Sequence, residues 1–200
     1  MSSLRERQKE QRREAILVAA MNLFVSNGYT ATKVEEIAAA AEVSAPTVFN
    51  YFGSKQAILF ALVDRADCCA VSDIRSQMEP FDNAVDALCH LQIAIIKYEL
   101  DALPISVWQE LMSLCFNGSI SQSMAQINTR LSKEIAGLLR ELQARGMLSA
   151  NFDPDAVADL LNDYCVLLFA RFVHQEEPDL EAHAKRIRLV VELIFNGLRA

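Results

Sequence analysis

The chain has 200 residues, 52% of them hydrophobic and 22% charged, with a formal net charge of −7. That is enough to bury roughly two-thirds to three-quarters of the unfolded surface, in one large or two small domains. The start "MSSLRERQKEQRRE" is too polar for a signal peptide, and no strictly apolar run exceeds the length of "YCVLLFA" at 164–170, well short of the ~18 residues of a membrane span. The expected location is cytoplasmic, with no membrane partner.

Only six glycines and five prolines interrupt a sequence rich in Leu, Ala, Glu, Gln and Arg, which predicts an all-α fold of about nine helices. The first runs from about residue 8 to 26. Ile16, Ala19, Ala20, Leu23 and Phe24 form its inward stripe, and Gly28 ends it. Its beginning is basic: residues 1–13 carry five Lys/Arg against two Asp/Glu, a net +3, whereas residues 61–200 carry 12 against 20, or −8. Local rather than total charge governs contact with a polyanion, so the acidic balance leaves nucleic acid open as a partner.

A short second helix opens at Thr32, where Thr32 and Glu35 have capping-box spacing and Val34, Ile37, Ala38 and Ala41 face inward. Only Glu42 and Val43 separate it from the next cap, Ser44. Two short helices joined by so tight a turn make a helix-turn-helix unit, placed at 33–52. In the segment "VSAPTVFNYF" at 43–52, Pro46 is tolerable only in a first helical turn. Val48, Phe49 and Phe52 are expected to form an inward wedge, leaving Thr47, Asn50 and Tyr51 on an uncharged, hydrogen-bonding outward face. A solvated face would more often carry Lys, Glu and Gln.

Gly53 closes this helix and Ser54 caps another, from Lys55 to about Met78. Further helices are predicted at 82–101, 105–116 and 120–145, then from Asp153-Pro154 to about Gln175, and from Pro178-Asp179 to about Leu198. The five cysteines (68, 69, 89, 115 and 165) are scattered without C-x-x-C spacing and are expected to be buried free thiols. Neither a metal nor a cofactor is expected. The three histidines (90, 174 and 183) are far apart, and no G-x-S-x-G, P-loop, dinucleotide or H-E-x-x-H motif is present, so an enzyme is not expected.

The run "TATKVEEIAAAAEVSAPTVFNYFGSKQAILFALV" at 30–63, with "REAILVAAMNLFVSNGYTATKVEEIA" before and into it, resembles the DNA-binding segment of the TetR family of bacterial transcriptional regulators. The likeness covers roughly residues 10–65 and rests on the helix spacing, Gly28-Tyr29, Ser44, Tyr51-Phe52 and Lys55. Two residues depart from the pattern: Glu42 where the family usually has glycine, and Phe49 where tyrosine is commoner. Glu42 is expected to point away from phosphate.

The resemblance implies an N-terminal three-helix DNA-binding domain over 9–69 and a larger helical effector-binding and dimerisation domain over 70–200. It implies DNA contacts at Thr32, Ser44, Ala45, Pro46, Thr47, Asn50, Tyr51 and Lys55. Hydroxyls at 44, 47 and 51 suit phosphate, and the methyl and methylene groups at 45–47 suit a thymine methyl. The expected partner is double-stranded DNA with a palindromic operator, bound by a homodimer.

The apolar "YCVLLFARFV" of 164–173, with Leu168 and Phe172, and Ile187, Val190, Val191, Ile194 and Leu198 of the last helix are the implied dimer interface. Helices this apolar need cover on more than one side. The Met and aromatic residues of the middle helices suit either plain core or the wall of a cavity. The resemblance implies a largely apolar small-molecule effector there, near Tyr98, Trp108, Met112, Cys115 and Phe116, whose binding releases a repressor from DNA. The competing reading is a helical dimeric ligand-binding or adaptor protein that does not act on DNA.

Overall fold

Caps decide where the helices begin and end. The computed structural model describes residues 4–78, 80–117 and 122–196, with side chains other than those at 65–72, 116–117, 122–124 and 196. The described residues form nine α-helices and no strand. These are α1 (Leu4–Asn27), α2 (Val34–Ala40), α3 (Ala45–Phe52), α4 (Lys55–Ser76), α5 (Ala84–Ala102), α6 (Ile105–Asn117), α7 (Gln122–Ala144), α8 (Pro154–Val173) and α9 (Leu180–Asn196). Gly28 takes φ +81 after α1, Ser44 caps α3 with Pro46 in its first turn, and Asp153 caps α8 ahead of Pro154. None of the described helices is long and apolar enough to cross a membrane.

The chain divides into two compact units: Met1–Arg65 with Leu103–Ser119, and Ala66–Ala102 with Ile120–Ala200. In the first, α1 packs on α2 and α6, and α2 on α3. Its core takes Ile16, Ala19, Ala20 and Phe24 of the expected α1 stripe, with Leu23 half-buried, joined by Leu17, Ile37, Val48, Ile58, Leu59, Trp108 and Leu111. Burying each larger aliphatic or aromatic side chain is worth about 1.5–3 kcal/mol, which lets helices as short as α2 and α3 persist.

In the second unit α7 packs on α8, α5 on α9, and α8 on α9. Arg75, in the last turn of α4, donates to the carbonyl of Glu134 (3.2 Å) and its carboxylate (3.1 Å), and also pairs with Glu141, all on α7. Gly146, at φ +72, lets the chain leave α7: its N–H donates to Gln143 and that of Met147 to Leu142, both 2.9 Å. Gln143 then donates its side-chain amide to the carbonyls of Ser149 and Phe152, bracing the loop before α8.

Four of the seven residues expected at a subunit interface are core. Leu168, Phe172, Ile187 and Val191 are buried in their own unit, with Phe172 ringed by Phe169 and His183. Val190 and Ile194 are half-buried, and Leu198 is outside the described residues. The apolar residues of both helices span more than one face, and the side toward the chain's own core claims these positions. What each helix leaves uncovered is a different stripe: Leu160 and Tyr164 on α8, and Leu189 (57% exposed) and Leu193 (66%) on α9.

Candidate nucleic-acid interface

The α2–α3 turn is built by a helix stop and a helix start placed back to back. After α2, the Glu42 N–H donates to Ala39 (3.2 Å) and the Val43 N–H to Ala38 (2.9 Å). This is the same pair of bonds that ends α7, the double closure of a left-handed C-terminal cap. Glu42 therefore sits at φ +54, the one non-glycine residue at positive φ among those described, and it is exposed. Immediately afterwards Ser44 Oγ accepts the Thr47 N–H (3.3 Å) and lies 2.8 Å from Thr47 Oγ1. A side-chain oxygen in this role satisfies one of the orphan amides at a helix start.

The cap of α2 is shifted by one residue from the expected Thr32 and Glu35. Lys33 is the N-cap, and its N–H donates to the Glu36 carboxylate at 2.8 Å. Thr32 instead turns inward. It is 1% exposed, and its hydroxyl donates to the carbonyls of Gly28 (2.8 Å) and Leu23 (3.2 Å). As folded, it pins the turn after α1 and has no hydroxyl left for a ligand.

Lys55 is likewise committed. Its Nζ donates to the carbonyls of Tyr29 (2.6 Å), Thr30 (3.3 Å) and Thr32 (2.8 Å), and stands 4.4 Å from the Tyr29 ring centre. An ammonium with three carbonyls and an aromatic face has spent its donors. It clamps the α1–α2 turn to the start of α4, where a phosphate contact was expected. Tyr29 in turn packs edge-on against Phe24 at 5.2 Å, and burial, then the Glu110 carboxylate, push its phenol above the ordinary value.

On α3, Val48 is the buried residue (1% exposed), and Ala45, Tyr51 and Phe52 are half-buried. The Arg13 guanidinium covers the Phe52 ring at 5.5 Å. Phe49, expected in the inward wedge, points outward at 48% exposure. With Val48 at the centre of the buried face, Phe49 lies about 100° round the helix and Pro46 and Asn50 lie beyond it. The solvent-facing side of α3 is thus Pro46, Phe49 and Asn50, flanked by half-buried Thr47. No residue from 45 to 52 is charged. This face can offer apolar contact, an amide and hydroxyls; it cannot offer a guanidinium fork to guanine.

The residues expected around an effector fall in both units. Trp108 and Met112 are buried core of the first unit and Cys115 is half-buried there. Tyr98 belongs to the second unit and is 40% exposed, and the Phe116 side chain is outside the described residues. Among the described residues of the second unit, the buried polar groups are Gln92 and Glu99 on one side of α5, Ser132 on α7, Asn162 on α8 and His183 on α9. The Gln92 side-chain amide nitrogen has no hydrogen-bond partner. Burial pushes the Cys89 thiol up to about 11 and the Cys165 thiol up to about 12, so both are protonated thiols at neutral pH rather than reactive thiolates.

Residues 16–62 match the family model described as bacterial regulatory proteins, tetR family. The chain is 37% identical to the HTH-type transcriptional regulator HbdR of Aromatoleum sp. (strain CIB) over 40% of its own length and 35% of that protein's; it therefore spans about a third of this relative. It is 21% identical to the HTH-type transcriptional repressor NicS of Pseudomonas putida over 99% of this chain and 97% of NicS. Among solved structures, the fold is shared with Thermus thermophilus FadR, a TetR-family transcriptional repressor in complex with lauroyl-CoA. The TM-score is 0.72 at 24% identity, over 90% of this chain and 92% of that one.

Proposed function

We propose that this chain, a member of the tetR family of bacterial regulatory proteins through its residues 16–62, is a cytoplasmic homodimeric repressor that binds a palindromic operator and leaves it when a small molecule binds. The observation that carries this reading is the outward face of α3, uncharged and set just behind the Ser44 cap. A recognition helix enters the major groove N-terminus first, so residues in its first two turns meet base edges and phosphates. Ser44, Ala45, Pro46, Thr47, Asn50 and Tyr51 are the proposed contacts. Thr32 and Lys55 hold the unit together from behind. The basic stretch of residues 1–13 adds affinity that does not depend on sequence.

Residues 9–69 are assigned to DNA binding, with 33–52 as the helix-turn-helix, and 70–200 to effector binding and dimerisation. Repression rather than activation is favoured by the full-length likeness to NicS, a named repressor. A largely apolar effector with a polar head is favoured by two points: FadR holds lauroyl-CoA, and Gln92, Glu99 and Asn162 are buried among the apolar side chains of α5 and α8. Release is a population shift. An effector that prefers conformers with misplaced recognition helices lowers operator affinity by the ratio of its affinities for the two states. Helix α4 runs from the first unit into the second and is the proposed transmitter.

Selection of bound duplexes from a random library tests this. The expected product is an inverted repeat with half-site centres about one helical turn, or a multiple, apart. Complexes with it should weaken as salt rises and dissociate on addition of medium-chain acyl-CoA, the first effector class to try. A library that shows no enrichment sinks the reading and leaves a helical ligand-binding or adaptor protein in its place.

A further inference from the structure

Phe49 is the bulkiest apolar side chain on the solvent face of α3, and the core does not use it. An exposed phenyl ring beside Pro46, on a helix with no charge from 45 to 52, is poorly suited to water and poorly suited to phosphate. We infer that Phe49 is a specificity-determining residue that reads the 5-methyl group of a thymine in the major groove, with the Pro46 ring beside it. The inference rests on the DNA-binding reading above and adds to it the chemistry of one base.

The argument is one of complementarity. The major-groove edges of guanine and adenine present acceptors or donors, and cytosine presents an amino donor. A phenyl ring set against those groups strips their water and returns no hydrogen bond. Thymine presents the O4 acceptor but alone adds a methyl group beside it, and an apolar ring set against that methyl removes it from water while leaving O4 free to pair. The neighbouring positions agree with this. Asn50, exposed one residue further on, has the amide that pairs with adenine N6 and N7. Glu42, the nearest acid in the sequence, lies beyond the cap and outside the helix.

The test replaces each thymine of a selected operator, one symmetric pair at a time, with uracil, which differs only in lacking the methyl. Burying one methyl is worth about a fourfold change in affinity, so one pair should weaken wild-type binding about fourfold per half-site. Other thymines should change it less than twofold. In Phe49→Ala the effect at that pair should fall below twofold, and Phe49→Leu, which keeps an apolar tip, should retain most of it.

Uracil tolerated at every position overturns the inference while leaving the DNA-binding reading intact. So does a uracil effect that persists undiminished in Phe49→Ala, because another residue then reads the methyl. Failure to select any duplex overturns the regulator reading and this inference with it.

Discussion

Glu42 occupies a backbone position that suits glycine. The same pair of closing bonds ends α7 with Gly146 at φ +72 and ends α2 with Glu42 at φ +54. For a residue with a Cβ the left-handed region costs about 1–2 kcal/mol, part of which is recovered because glycine has more unfolded-state freedom to lose. Glu42→Gly should therefore stabilise the chain by a few tenths to about 1 kcal/mol in denaturant unfolding. Glu42→Ala, equally strained, should gain nothing. The glycine variant should also bind operator DNA more tightly, since an acid beside the turn is removed; a weaker complex would mean that Glu42 makes a contact of its own.

Lys55 gives a second test at this scale, because a clamp and a phosphate contact fail differently. Lys55→Met keeps most of the side chain's bulk and removes the donors to Tyr29, Thr30 and Thr32. Hydrogen bonds from a charged donor contribute about 1.5–3 kcal/mol when lost, so the melting temperature should drop by several degrees. At a temperature where the variant is folded, the salt slope of DNA binding should match wild type. A slope reduced by about one unit with stability unchanged would return Lys55 to phosphate contact.

At the scale of helices, Gly137 on α7 makes room for the Arg75 guanidinium. A Cβ at this position would collide with Arg75 Nη1. Alanine in a helix interior is ordinarily about 1 kcal/mol better than glycine. Gly137→Ala should fall short of that gain or destabilise, because Arg75 must give up Glu134 and Glu141. In an Arg75→Ala background the full gain should appear. Urea unfolding of the four chains should give a coupling of about 1 kcal/mol or more; additive effects would mean that the guanidinium relocates without loss.

Helix limits were legible because their signals are local. Gly28, Ser44, Pro46, Gly53, Asp153-Pro154 and Gly146 act on the two or three residues beside them, and each is found doing so. Helix phase was less legible. On α3 the apolar residues Val48, Phe49 and Phe52 span more than one face, and composition does not say which of them turns out; the fold buries Val48 and exposes Phe49. Contacts far apart in sequence were not legible at all. Nothing local to Lys55 reveals that carbonyls from residues 29 to 32 stand within reach of its Nζ, nor does Thr32 announce that its hydroxyl points into the turn behind it.

The whole molecule inherits this ambiguity of phase at its apolar helices. Leu168, Phe172, Ile187 and Val191 read as an interface and are core, while Leu160, Tyr164, Leu189 and Leu193 stand exposed on α8 and α9. Leaving leucines more than half exposed on adjacent turns of two packed helices costs solubility unless something covers them. The proposed homodimer covers them with the matching face of a second copy under two-fold symmetry, and a two-fold protein matches an inverted-repeat operator.

Leu193→Glu, and Leu189→Glu with it, should therefore yield a folded monomer by light scattering and reduce operator affinity far more than half-site affinity. Val191→Glu is the contrasting variant: its side chain is core, so it should unfold the second unit, seen as lost helicity and a lowered melting temperature. A dimer that survives both leucine substitutions would move the interface off these stripes. A folded monomer that still holds the full operator undiminished would separate dimerisation from DNA binding altogether.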